Sequence, residues 1–224
     1  MKRFDVGIVD DENKGIIESL NSFIKRTEIK RLINQILTAQ ASRNFRSLAI
    51  LSEYPKEGKT FFTAALALAY ARFLPGRVLV VNTVPQSKSG NTLLKSIIGI
   101  HLPVRLNKYE LGESCRIDLI TARSDLMDRR AISPDFQISS YIDKFADSYD
   151  IVFVDTCAMS DLNDDLVDPV IVAQHVDASI LITSPKSLDR SSVRRVTGKL
   201  HRYGIRPLGA VYNAGVMGGW TSRQ

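Results

Sequence analysis

At 224 residues, 44% hydrophobic and 24% charged, the chain has the size and composition of one α/β domain with at most a short N-terminal appendage, which excludes a disordered or fibrous protein. Its longest apolar stretch, Phe61 to Leu74, is shorter than a bilayer span and is broken by Thr63, Tyr70 and Arg72, so a transmembrane helix is excluded and any membrane role is peripheral. Thirty Lys and Arg against 24 Asp and Glu give a net charge of +6, but no basic run interleaved with aromatics accompanies it, so nucleic acid is not an expected partner. Met1 to Asp11 lacks the apolar core of a secretion signal, and a cytoplasmic chain is expected. Cys115 and Cys157 have neither metal-ligand nor CxxC spacing and read as packing residues.

Residues 16 to 40 read as helical, with Ile29, Leu32, Ile33, Ile36 and Leu37 on one apolar stripe and Thr27 placed to cap the start. Leu48 to Leu51 then form a continuous apolar run of the kind a strand shows when both of its faces are covered. Further short runs at Val78 to Val81, Ile117 to Ile120, Ile151 to Val154, Ser179 to Thr183 and Leu208 to Tyr212 read as strands. Helical segments are predicted between them at Gly58 to Phe73, Thr92 to Ile98, Phe136 to Asp147, Asp165 to His175 and Ser187 to Tyr203, the last ended by Gly204. This alternation predicts a doubly wound α/β domain with a mainly parallel sheet over residues 41–224, and residues 1–40 as a helical extension packed outside it. Pro85 to Pro134 is the least regular region.

The chemistry is concentrated in the loop after the first strand. Ser52-Glu53-Tyr54-Pro55-Lys56-Glu57-Gly58-Lys59-Thr60 lies between a strand and a helix, the context a P-loop requires, although Glu53 stands where that motif has its first glycine. Gly58 lets the backbone approach a phosphate, Lys59 reaches phosphate oxygens, and the Thr60 hydroxyl is a Mg²⁺ ligand. The helix that follows adds its positive N-terminal end. Lys56, Glu57, Gly58, Lys59, Thr60 and Phe61 are therefore the expected nucleotide-binding residues. Downstream, Ile151-Val152-Phe153-Val154-Asp155 is an apolar strand ending in a carboxylate, the placement of a Walker B aspartate that holds Mg²⁺. Thr60 and Asp155 are the candidate metal ligands, and Lys59 and Asp155 the candidate catalytic pair.

Ser-Glu-x-Pro-x-x-Gly-Lys-Thr, the Ala-rich helix from Thr63 to Ala69, and Gly76 to Val81 together resemble the bacterial tyrosine kinases, members of the ParA/MinD branch of P-loop proteins. Tyr149-Asp150-Ile151-Val152-Phe153-Val154-Asp155-Thr156 is similar to their Walker B segment. Val176 to Ile182 and Gly204 to Asn213 are similar to their closing strands. The resemblance implies a P-loop NTPase fold, ATP and Mg²⁺ as cofactors, Asn213 near the adenine, and a role in polysaccharide polymerisation and export beside a membrane-embedded co-polymerase. That role would place the chain in the cytoplasm, at the inner face of the plasma membrane when it is engaged. Glu28-x-x-Arg31-x-x-Asn34 is similar to the family's oligomerisation motif, with its last Arg changed to Asn, and implies a homo-oligomer through Glu28 and Arg31.

Two departures from the family pattern bear on activity. Its second acidic strand end is replaced by Asn82-Thr83-Val84: Asn82 carries no charge, and Val84 cannot ligate a metal. The segment from Ala214 to Gln224 holds no tyrosine, against the family's phosphorylated tail. The expectation is an ATP-binding member with weak or no kinase activity. Two alternatives stay open. One is a scaffold that has lost nucleotide binding, motivated by the charges of Glu53 and Glu57 near the phosphates. The other is a positioning ATPase of the ParA/MinD type, against which Tyr54 occupies the place of that group's signature lysine.

Overall fold

The structure is a computed structural model that describes residues 19–74, 76–84, 107–110, 115–121, 134–161, 166–185 and 190–214. After a helical stretch over 19–24, the elements run α1 (Thr27–Arg43), β1 (Ser47–Ser52), α2 (Lys59–Phe73), β2 (Gly76–Asn82), β3 (Asn107–Glu110) and β4 (Cys115–Thr121). They continue with α3 (Pro134–Ala146), β5 (Ile151–Asp155), α4 (Pro169–His175), β6 (Ala178–Thr183), α5 (Arg190–Arg202) and β7 (Gly209–Tyr212). The strands form one sheet in the order β3-β4-β2-β5-β1-β6-β7, parallel throughout except for β3, which pairs antiparallel with β4 at one edge.

Both faces of this sheet are covered, which is why the strands read as unbroken apolar runs rather than alternating ones. Leu48, Ile50, Val78, Val80, Ile151, Phe153 and Ile180 point to one face and pack under α1 and α2. Ala49, Leu51, Leu79, Val81, Val152, Val154 and Leu181 point to the other, beneath α3, α4 and α5. Central α2 is apolar around nearly its whole circumference, and its alanines, Ala64, Ala65, Ala67, Ala69 and Ala71, let it lie close on the sheet. Burial is not confined to the sheet layers: Leu20, Ile24, Ile29, Ile33 and Ile36 belong to the same core as α2. The expected boundary at residue 40 falls inside α1.

Several element ends differ from the sequence expectation. Thr27 is the first helical residue of α1 rather than its cap; Arg26 holds the cap position, and no side chain caps the helix there. α4 begins at Pro169, with the Asp168 carboxylate accepting from the Val170 amide at 2.7 Å, so the Asp-Pro pair sets the start rather than the expected Asp165. Gly204 ends α5 as expected, at φ +77°, and the Ile205 amide reaches back to the Leu200 carbonyl at 2.9 Å in a Schellman turn. The predicted helix at Thr92 to Ile98 lies outside the described residues, as does the segment after Ala214. No helix among the described residues is long and apolar enough to cross a membrane.

One core group is at odds with its surroundings. Tyr70 packs edge-on against Phe153, ring centroids 5.2 Å apart, and its buried hydroxyl has no hydrogen-bond partner among the described residues. Burial raises its pKa well above the usual tyrosine range. Removing an unsatisfied buried hydroxyl without changing the ring's shape removes a desolvation penalty, so Tyr70→Phe is expected to stabilise the fold by about 1 kcal/mol. Urea denaturation of the two proteins measures this. A lower midpoint in the variant would mean that the hydroxyl does have a partner.

Candidate functional site

The topology brings the chemistry-bearing residues to the carboxyl ends of the central strands. β1 is hydrogen-bonded to β5 on one side and β6 on the other, and β2 lies on the far side of β5. The loop after β1, the end of β5 and the end of β2 therefore meet at one rim, where ligands bind in open α/β sheets. The loop turns into α2 through Lys56 at φ +64° and Gly58 at φ +95°. Gly58 has no alternative in two respects. An L-residue is strained at that φ, and a Cβ there would lie 2.6 Å from Asn213 Nδ2.

Inside this turn the Lys59 ammonium donates to Ser52 Oγ at 2.6 Å, and Thr60 Oγ1 donates to Asp155 Oδ2 at 2.7 Å. Thr63 Oγ1 donates to the Lys59 carbonyl at 3.0 Å and lies 3.5 Å from Asp155 Oδ1. Asp155 is fully buried. Desolvation pushes its carboxyl up to about 6, against the opposing effects of the Thr60 bond, the Lys59 charge and the Thr63 bond. Burial likewise pulls the Lys59 pKa down, opposed foremost by the negative charge of Asp155 and more weakly by those of Glu57 and Asp161. A buried cation and a buried carboxylate thus share this rim at the positive end of a helix, the cation held by the Ser52 hydroxyl and the carboxylate by the Thr60 hydroxyl.

Glu57 is placed differently from the reading that set its charge against the phosphates. It is 2% exposed, and its carboxylate accepts from the Tyr54 amide at 3.0 Å and from the Ser184 amide and hydroxyl at 3.2 and 3.1 Å. It pins the loop to the end of β6 from within. On the other side, Asn213 Nδ2 donates to the Glu57 carbonyl at 3.0 Å, while the Asn213 amide donates to the Thr183 carbonyl at 2.7 Å. The segment after β5 closes the rim: the Met159 and Ser160 amides donate to the Ser52 and Glu53 carbonyls at 3.0 and 2.9 Å.

No family model and no curated protein matches the chain; its likeness is to solved structures. The kinase domain of the Escherichia coli tyrosine kinase ETK superposes with a TM-score of 0.63 at 19% identity, covering 96% of this chain and 81% of that one. The kinase domain of VpsO gives 0.60 at 20% identity, covering 91% and 97%. The septum site-determining protein MinD from Pyrococcus horikoshii, crystallised with Mg-ADP, gives 0.53 at 19% identity, covering 75% and 70%. The chain has the P-loop fold of these kinase domains and MinD-type ATPases.

Within that P-loop fold the remaining candidates divide. Lys59, Thr60 and Asp155 converge, and Gly58 and Asn213 meet beside them. The Lys56 side chain is exposed. The Phe61 ring turns away from the rim and packs edge-on against Phe23, 5.2 Å between centroids. Asn82 stands directly opposite Asp155 in the β2–β5 register, fully buried, with its side-chain oxygen accepting from the Val84 amide at 2.9 Å. Thr83 is tied to the same strand end, its hydroxyl donating to the Asp155 carbonyl at 2.8 Å. Glu28 and Arg31 are exposed on α1. Ser52, Thr63 and Ser184 also take part in the site: Ser52 opens the loop, Thr63 lies one turn into α2, and Ser184 is distant in sequence.

The donor set suits a hard cation. Mg²⁺ is commonly held by one or two carboxylates completed by phosphate oxygens and water, and the Thr60 hydroxyl and the Asp155 carboxylate supply such oxygens side by side. Among the described residues no group of three or more His, Cys, Asp or Glu could form an all-protein metal cage.

Proposed function

We propose that this chain is an ATP-binding domain of the bacterial tyrosine kinase type, serving polysaccharide polymerisation and export beside a membrane-embedded co-polymerase and having weak or no kinase activity of its own. The observation that carries the nucleotide-binding part is the 2.7 Å bond from Thr60 to Asp155, with the Lys59 ammonium held at the same strand ends. Lys59 and the backbone of Gly58 would hold the phosphates, while Thr60 and Asp155 would hold Mg²⁺, which supplies charge neutralisation across the phosphate oxygens. The inward turn of Glu57 favours this over the scaffold reading, because its carboxylate is engaged by Tyr54 and Ser184. Weak transfer activity follows from Asn82, which puts a neutral amide opposite Asp155, its oxygen already used by Val84. Such an amide cannot accept a proton as a general base. A homo-oligomer through the exposed Glu28 and Arg31 belongs to the same proposal.

Calorimetric titration with ATP, with and without Mg²⁺, tests it. The unmodified chain is expected to bind, more tightly with Mg²⁺, and Lys59→Ala to bind about 10–100-fold more weakly, the factor for losing charge-assisted hydrogen bonds to phosphate. Absence of binding by the unmodified chain would leave the scaffold reading in its place. Rapid appearance of labelled phosphate on the protein, abolished by Lys59→Ala, would overturn the weak-kinase part.

A further inference from the structure

α5 and the turn after it carry Arg190, Arg194, Arg195, Lys199, Arg202 and Arg206 and no Asp or Glu between residues 190 and 206. The helix's apolar side is occupied: Val196 and Leu200 are buried in the core, with Ile205 beside them. Arg194, Arg195, Arg202 and Arg206 are exposed, and Lys199 is half-buried. None of these five forms an ion pair among the described residues. Arg195, Lys199 and Arg202 follow at intervals of four and three, so they form a stripe along one flank of the helix.

The stripe ends on the P-loop. Arg195 Nη2 donates to Tyr54 Oη at 2.8 Å, and the main chain of Tyr54 is bound on both sides: its carbonyl accepts from Ser52 Oγ at 2.8 Å and its amide donates to Glu57 at 3.0 Å. Ser52 is the residue that receives the Lys59 ammonium. A hydrogen-bonded path therefore runs from the basic flank of α5 through Tyr54 and Ser52 to Lys59.

We propose that this stripe is a docking site for an acidic, extended segment of a partner protein, and that the segment competes with Tyr54 for Arg195. Cations at these helical intervals recur about every 4.5–6 Å along the axis, and carboxylates on alternate residues of an extended chain recur about every 6–7 Å, so the two arrays match over a short length. Two of the three cations are arginines, whose planar guanidinium takes a carboxylate through two parallel bonds. A bilayer surface is a poorer fit, because Val196 and Leu200 are held in the core and cannot enter an interface. Docking draws on the stripe alone; its effect on ATP affinity, transmitted through Tyr54, rests on the nucleotide-binding reading above.

Fluorescence anisotropy with a labelled oligoglutamate of about twelve residues, long enough to span the stripe when extended, tests the proposal on the full chain without nucleotide. Its outcome is thereby independent of whether ATP binds. The double reversal Lys199→Glu with Arg202→Glu is expected to weaken binding at least about tenfold, and the charge-matched reversal of Lys25 and Arg43 to change it less than about threefold. Equal losses in the two variants would reduce the effect to net charge and overturn the proposal. Tyr54→Phe leaves Arg195 without its hydroxyl partner, and is expected to tighten peptide binding about three- to fivefold. Unchanged affinity in that variant would overturn the competition. Stripe-dependent sedimentation with phosphatidylserine vesicles, without stripe-dependent peptide binding, would replace the acidic partner by a membrane surface.

Discussion

Asp155→Asn is expected to make the nucleotide-free protein more stable at pH 7.5 while removing the Mg²⁺ dependence of ATP binding. The carboxyl is fully buried, and desolvation pushes its pKa from 3.8 up to about 6 in spite of the Thr60 bond and the Lys59 charge. The native state therefore binds more protons than the unfolded chain between these values. Stability then falls as pH rises through that window, and remains lower above it. A shift of this size corresponds to about 3 kcal/mol of penalty at pH 7.5, relieved progressively below about pH 6 and fully only below about pH 3. Asparagine keeps an oxygen that can accept from Thr60 and does not ionise, so urea midpoints of the two proteins should be furthest apart at pH 7.5 and converge on acidification. A variant less stable than the parent at pH 7.5 would mean that attraction between Asp155 and Lys59 outweighs desolvation, and the sign would be wrong. Retention of such an unfavourable group is what a functional rather than structural carboxylate requires. The calorimetric loss of Mg²⁺ dependence is the companion measurement.

What the sequence disclosed and what it concealed follow from the range of the interactions involved. The strands from Leu48 to Leu51 and from Ile151 to Val154 were legible because burial on both faces leaves an uninterrupted apolar run. β3 was not: Asn107–Glu110 is a polar edge segment paired on one side only, and it carries no such run. The partners in the P-loop chemistry were visible as types, since a Gly-Lys-Thr after one strand and an Asp ending another have few other joint uses. The orientation of Glu57 was invisible, because Ser184, which fixes it, lies 127 residues away. The same holds for Arg195 on Tyr54 and for Phe23 under Phe61. Each joins segments distant in sequence that the fold brings together, and no local spacing encodes it. The Asp168-Pro169 helix start, by contrast, is written locally, in an N-cap carboxylate followed by a proline.

Gly58→Ala is expected to cost about 2–3 kcal/mol of stability, a large effect for one methyl group, and its origin divides into two measurable parts. The first is the backbone: φ +95° lies beyond the usual left-handed basin, and an alanine there is strained by about 1–2 kcal/mol. The second is the contact at 2.6 Å between the new Cβ and Asn213 Nδ2, which can be relieved only by moving the carboxamide off the Glu57 carbonyl it now bonds at 3.0 Å. That displacement forfeits a hydrogen bond worth about 1 kcal/mol. Asn213→Ala alone forfeits the same bond, so the two losses should not add: the double variant is expected to be more stable than the sum of the single losses by about 1 kcal/mol. Strict additivity in denaturant unfolding would show that Asn213 is not what confines Gly58, leaving the backbone strain to account for the whole effect. Coupling of the expected sign would tie the strand end after β7 to the phosphate loop, because one amide group would then be setting both the packing of Gly58 and the position of the Glu57 carbonyl.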